Sequence, residues 1–214
     1  MKLTSFCAIA LALAVNAQAE LLTLTPGSAT KKGVNISTGA TADLGGQKVA
    51  LTTVGSGVRA KDFVIAVDVY VGQLLLSDSG RYVKSAGGAL ASLDNQKTVA
   101  IRMSFLRKLS AQSLREGFID GLVANNVSIT DPDVAKLLQW VLESGGVVAG
   151  SNLSVVFNQN PNGTETMFFE LSGAGNAKSG VHAGAKGFTR KVVSAWLGNP
   201  SDELMGQFKS ELLQ

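Results

Sequence analysis

The stretch QKVALTTVGSGVRAKDFVIAVDVYVGQLLL, residues 47–76, carries two strand patterns separated by a basic segment. In its first half Val49, Leu51 and Thr53 alternate with Lys48, Ala50 and Thr52 up to Gly55-Ser56-Gly57. Successive side chains of a strand point to opposite faces, so this predicts a strand that ends at a glycine bend. In the second half Phe63, Ile65, Val67, Val69 and Val71 recur at period two, with Asp68 and Tyr70 between them. That predicts a long strand over 63–76 with one dry face.

Working outward, Lys97 to Arg107 repeats the alternation, with Val99, Ile101, Met103 and Phe105 on one side. Ser110 is placed to cap a helix in which Leu114, Phe118 and Leu122 recur every four residues. Asp131-Pro132 opens a second helix, with proline at its first position, and Gly145-Gly146 stops it. Asn160-Pro161-Asn162-Gly163 joins two further strands, 152–159 and 164–171, as a hairpin. A glycine-rich stretch over 173–187 leads into a helix from Phe188 to Leu197, and Ser201 is read as the cap of a last helix. This order predicts an α+β fold with helices packed on one face of an antiparallel sheet.

The ends read differently. Lys2, the apolar run Phe6 to Val15 and Ala17-Gln18-Ala19 form the pattern of a secretory signal over 1–19, which implies export, with the periplasm as destination. Its apolar run is shorter than the ~20 residues a bilayer requires, and no later run is longer, so no membrane segment is expected after cleavage. Residues 20–46, rich in Thr, Gly, Ser and Lys, read as a loosely structured arm or frayed strand before a domain over 47–214. Cys7 is the only cysteine, so the exported chain is expected to fold by packing without disulfides.

Composition also excludes function classes. The formal charge is +3 and the basic residues are dispersed, which argues against a nucleic-acid surface. His182 is the only histidine and no Gly-x-Ser-x-Gly elbow occurs, which argues against a hydrolase and against a zinc or copper site. The glycine clusters lack the Lys-Ser/Thr step of a phosphate loop, and no cofactor is expected.

Four local sequences, in this order, resemble the bacterial branch of the chalcone isomerase family. Gly55-Ser56-Gly57-Val58-Arg59 is similar to its Gly-x-Gly-x-Arg bend, and Val67-Asp68-Val69-Tyr70-Val71 to the strand that follows. Ser104 to Arg115 is similar to its strand-to-helix segment, and Ala195-Trp196-Leu197-Gly198 to the end of its penultimate helix. The resemblance implies a cleft with an arginine at its mouth or floor, a position matched by Arg59. Plant members of the family add a phenolate to an enone, and other members bind fatty acids. Ile65 stands where the enzymes have threonine and fatty-acid-binding relatives tyrosine; Leu114 and Gly121 stand where the enzymes have tyrosine and asparagine, with Asn125 or Asn126 one turn on. One lost oxyanion donor costs about 10²–10³ in rate. The resemblance therefore implies a non-catalytic binder of a fatty acid or similar amphipathic carboxylate, with Arg59 as anchor and Ile65, Val67, Tyr70 and Leu114 as lining. The alternative for Arg59 is a guanidinium that closes the bend on carbonyl oxygens; for Tyr70, a core residue. The alternatives for the chain are an adaptor without a pocket, using Leu74-Leu75-Leu76 as a partner edge, and an isomerase (intramolecular lyase) with residual activity.

Overall fold

The first two connections of the chain are two-residue loops in which every central residue has positive φ: Lys32 (49°) and Gly33 (78°), then Gly45 (71°) and Gly46 (94°). Such turns match the twist of antiparallel strands and so lock a hairpin. They join β1 (Leu22–Lys31), β2 (Val34–Leu44) and β3 (Gln47–Asp62). The computed structural model describes residues 20–62 and 64–214; the expected signal over 1–19 and Phe63 lie outside them. The arm expected over 20–46 is therefore two paired strands. Its period-two apolar residues are small, but Leu22, Ala42 and Leu44 cluster with Leu75, Ala100 and Val156, and that burial fixes the hairpin.

The chain continues through β4 (Ala66–Leu76), the short α1 (Ala89–Ser92), β5 (Thr98–Phe105), α2 (Ala111–Val123) and α3 (Pro132–Glu143). It ends with β6 (Ser151–Gln159), β7 (Glu165–Gly173), β8 (Lys178–Gly184), α4 (Phe188–Leu197) and α5 (Glu203–Leu212). The strands form one sheet in chain order, β1 to β8, with every neighbouring pair antiparallel. The glycine-rich stretch after Gly173 supplies the edge strand β8, so His182 lies on a strand, with Nε2 2.8 Å from Asp133.

β5 divides the molecule into its two layers. Val99, Ile101, Met103 and Phe105 join the main core with Leu114, Phe118, Leu137, Trp196 and Phe208 of the helices. Ala100 joins the smaller core on the opposite face. No helix among the described residues is long and apolar enough to cross a membrane.

The strand expected to end at Gly55-Ser56-Gly57 instead continues to Asp62, with a register shift against β4 that leaves Val54 as an extra residue. The glycines are a floor for α5 instead. A Cβ at Gly55 would stand 1.8 Å from the Leu212 carbonyl oxygen, at Gly57 2.9 Å from the Phe208 ring, and at Gly72 of β4 2.5 Å from that ring. With no side chains in the way, α5 lies directly on β3 and β4, antiparallel to β3. Its C-terminal end covers Gly55 and its N-terminal end reaches Arg59.

Candidate functional site

Arg59 and Tyr70 are opposed across β3 and β4. Immediately beyond them the register shifts, and Ala60 pairs with Asp68, leaving Val69 as an extra residue. A bulge of this kind changes which way side chains face. Val69 and Tyr70, neighbours in the chain, accordingly both line a cavity of about 170 Å³ between the sheet and α2. Leu114 and Phe118 of α2, Met103 of β5, Trp196 of α4 and Met205 of α5 supply its apolar wall. Lys61, Glu116 and Asp120 stand at its rim, where Lys61 and Asp120 pair at 3.6 Å between β3 and α2.

Arg59 is only 7% exposed. Its guanidinium donates to the Ala60 carbonyl and to Asp202 at 2.5 Å. Asp202 does two jobs, because its other carboxylate oxygen accepts the Met205 N–H at 2.7 Å and so caps α5. Burial pushes the Asp202 carboxyl up, but Arg59, the Met205 amide and Lys61 together outweigh that and hold it below the usual carboxylate range. The protein therefore carries its own carboxylate on Arg59. Two of the five guanidinium N–H donors are spoken for by these partners, and the remaining three are free for a second acceptor.

Tyr70 is buried and touches Phe105 and Phe208 edge-on, at centroid distances of 5.7 and 5.6 Å. Trp196 Nε1 donates to its hydroxyl at 3.0 Å. The hydroxyl is the acceptor in that bond, and among the described residues its own proton has no acceptor. Burial pushes the phenol up to about 12, with the Trp196 bond and Arg59 opposing. Tyr82, the other tyrosine of the sequence, is also raised to about 12 by burial. Alkaline titration followed by phenolate absorbance should thus show no ionisation near the ordinary pKa of about 10 while the protein stays folded. For Tyr70 the sign is fixed: the folded state resists losing the proton, so stability is unaffected below pH ~10 and falls by about 3 kcal/mol as pH rises toward 12. A native-state phenolate signal that develops near pH 10 would contradict the burial of both rings.

The structure brings Arg59, Tyr70 and Leu114 to one cavity and leaves Ile65 and Val67 out of it. Ile65 lies in the β3–β4 connection, 72% exposed, with Val64 beside it at 99%. Val67 is half-buried on β4 but does not line the cavity. The alternation that groups them with Val69 runs through a hairpin turn at one end and meets the bulge at the other. Gly121 faces α4, where a Cβ would stand 2.8 Å from that of Ala195, so no side chain fits there. Asn125 is committed to the α4–α5 connection: its amide donates to the Gly121 and Asn199 carbonyls and accepts the Asn199 N–H at 2.6 Å. Val69, Met103, Phe118, Trp196 and Met205 line the cavity without being among the expected site residues, and Asp202 joins the site as the partner of Arg59; an acidic residue next to Ser201 at a helix start is the one available signal for it.

Eight antiparallel strands with the helices on one face and a cavity between them define a chalcone isomerase-like fold. Among solved structures, the fatty-acid binding protein AtFAP1 of Arabidopsis thaliana is similar to this chain with a TM-score of 0.53 at 15% sequence identity, over 76% of this chain and 86% of that one. No family model matches the sequence. No curated protein matches it either.

Proposed function

We propose that this chain is an exported, non-catalytic binder of an amphipathic carboxylate of the fatty-acid type, held by its head between Arg59 and Tyr70. The observation that carries the reading is the juxtaposition of a buried guanidinium with a buried phenol proton that has no acceptor among the described residues, at a cavity whose wall is apolar and whose rim is charged. Both groups are donors, and a carboxylate offers acceptors to both. AtFAP1, of like fold, is by its name a fatty-acid binding protein.

The cavity volume sets the size of what fits. An engineered apolar cavity of about 150 Å³ takes a benzene ring, so 170 Å³ takes on the order of six to eight heavy atoms. Six methylenes at about 0.8 kcal/mol each give roughly 5 kcal/mol, near the low end of the 4–15 kcal/mol cost of association. Affinity therefore depends on the head group, and a longer tail has to lever α2 off β3 at the Lys61–Asp120 pair. The polar groups the family's enzymes use on this helix are replaced here by Leu114 and Gly121, which favours binding over isomerase chemistry.

The test is lipid mass spectrometry of the purified chain together with displacement of a fluorescent fatty acid by carboxylates of increasing length. Gly117 of α2 lines the cavity, and a Cβ there meets no atom within 4 Å. Gly117→Trp is expected to plug the mouth and weaken binding at least tenfold. Gly117→Ala should leave binding intact and raise helix stability by about 0.5–1 kcal/mol. No co-purified carboxylate and no displacement by any chain length would end the proposal.

A further inference from the structure

The face of the sheet away from the helices holds a second cation that the cavity does not use. Arg102 projects from β5 on the side of Ala100, opposite to Ile101 and Met103. It is 8% exposed. Among the described residues its guanidinium takes part in no ion pair or hydrogen bond, and its Nε is a buried donor without a partner. Directly across the β4–β5 ladder stands Gln73, 1% exposed, whose Nε2 is also a buried donor without a partner. The orientation of that amide is fixed, because its oxygen accepts both the Ser37 N–H at 2.8 Å and the Ser37 hydroxyl at 2.9 Å. Two buried donors on opposed residues thus share one deficit, an acceptor.

Two acids, Glu20 and then Glu170, act on the guanidinium through space, but neither pairs with it. Glu170 lies in the same row, beyond Ser154, but accepts the Leu21 N–H at 2.9 Å and makes no ion pair with Arg102. Burial pushes the Glu170 carboxyl up, with the Leu21 amide and Arg102 opposing, which weakens its claim on the guanidinium. On the other side Arg102 lines a groove of about 430 Å³ between β5 and the β1–β2 hairpin. Leu24 and Val34 of that hairpin and Leu106 supply apolar surface, Ser104 and Asn152 lie beside it, and Lys32, paired with Asp68 at 2.9 Å, stands at the edge. A buried guanidinium held by no direct ion pair is costly, and an oxyanion entering this groove would relieve that cost.

We propose that this groove is a second binding site, for a small organic oxyanion, carboxylate or phosphate ester, that Arg102 receives through its planar fork. The site is separate from the cavity at Arg59, on the opposite face of the sheet, and stands or falls independently of it. The experiment is amide chemical-shift mapping on the full chain, with inorganic phosphate and propionate as separate probes at constant ionic strength and chloride as the reference anion. Saturable shifts are expected at residues 102–106, 149–152 and 32–35. A response to phosphate alone assigns the site to phosphate esters, and a response to propionate alone assigns it to carboxylates. Arg102→Met should lose at least tenfold in probe affinity while its melting temperature stays level or rises, since it removes an uncompensated charge. The same variant should bind the fluorescent fatty acid in the helix-side cavity as the parent does. Arg102→Lys keeps the charge without the fork and should weaken the probe several-fold. The absence of saturable shifts with both probes, or equal affinity in the Arg102 variants, would overturn the assignment.

Discussion

Replacing Glu165 with alanine is expected to cost about 3–5 kcal/mol of folding stability, the largest effect of any single change considered for this chain. Glu165 sits at the start of β7 and is 4% exposed. Its carboxylate accepts the Gly187 N–H at 2.8 Å, the Thr189 N–H at 2.5 Å and the Thr189 hydroxyl at 2.6 Å. These are first-turn donors of α4, whose own cap residue is Gly187, without a side chain to satisfy them. A strand residue therefore does the work of a helix cap, and its negative charge also meets the positive end of the helix dipole. Alanine would strand two buried donors and one half-buried donor at about 1–3 kcal/mol each, with partial relief from relaxation and water. Glutamine keeps one acceptor oxygen and should fall between the two. Denaturant midpoints of the three proteins check this. A loss under 1 kcal/mol for Glu165→Ala would mean that α4 is anchored elsewhere.

The second large effect concerns affinity and runs in opposite directions for two partners. Arg59→Met should weaken carboxylate binding by about 10–100-fold, the worth of a charge-assisted hydrogen bond of 1.5–3 kcal/mol. Asp202→Asn should strengthen it, on the order of tenfold, because Asp202 occupies the guanidinium that the ligand has to share. Asparagine serves as an N-cap as well as aspartate does, so the start of α5 survives the change. Displacement titrations at fixed salt read both effects. The Asp202 side chain is 42% exposed, so its pairing with Arg59 is partly screened and is a small term in stability. What pairing there is stands at neutral pH and fades as pH falls through the depressed pKa of Asp202. If Asp202→Asn leaves affinity unchanged, the ligand carboxylate does not meet Arg59.

The helical layer is legible in the sequence because helix starts carry chemistry. Ser110 and Asp131 cap α2 and α3 through the amides of Ser113 and of Asp133 and Val134. The last helix is displaced by one position, with Asp202 rather than Ser201 as cap. The strands at the two edges are harder to read. β2 presents Ala40 and Ala42 where a strand signal relies on Val or Ile, and β8 is written largely in Gly, Ala and Ser. The Gly45-Gly46 turn is nevertheless a hairpin signal, and with it the β2–β3 pair can be read. For the site, Arg59 and Leu114 follow from the resemblance carried by Gly55 to Arg59 and by Ser104 to Arg115. The bulge that carries both Val69 and Tyr70 into the cavity uses no special residue type, so alternation alone misplaces Ile65 and Val67. The Arg59–Asp202 pair spans 143 positions and depends on a helix resting on glycines, a relation that no local pattern encodes.

Because each strand's partner is the one synthesised just before it, the sheet can zip up progressively from its amino end, with the longest wait at β6, which pairs with β5 only after α2 and α3 are made. The longest return is that of α5, which must come back across the molecule to β3. The hollow beside Arg59 is thus completed late, when α5 brings an acid to a guanidinium whose strand was laid down long before.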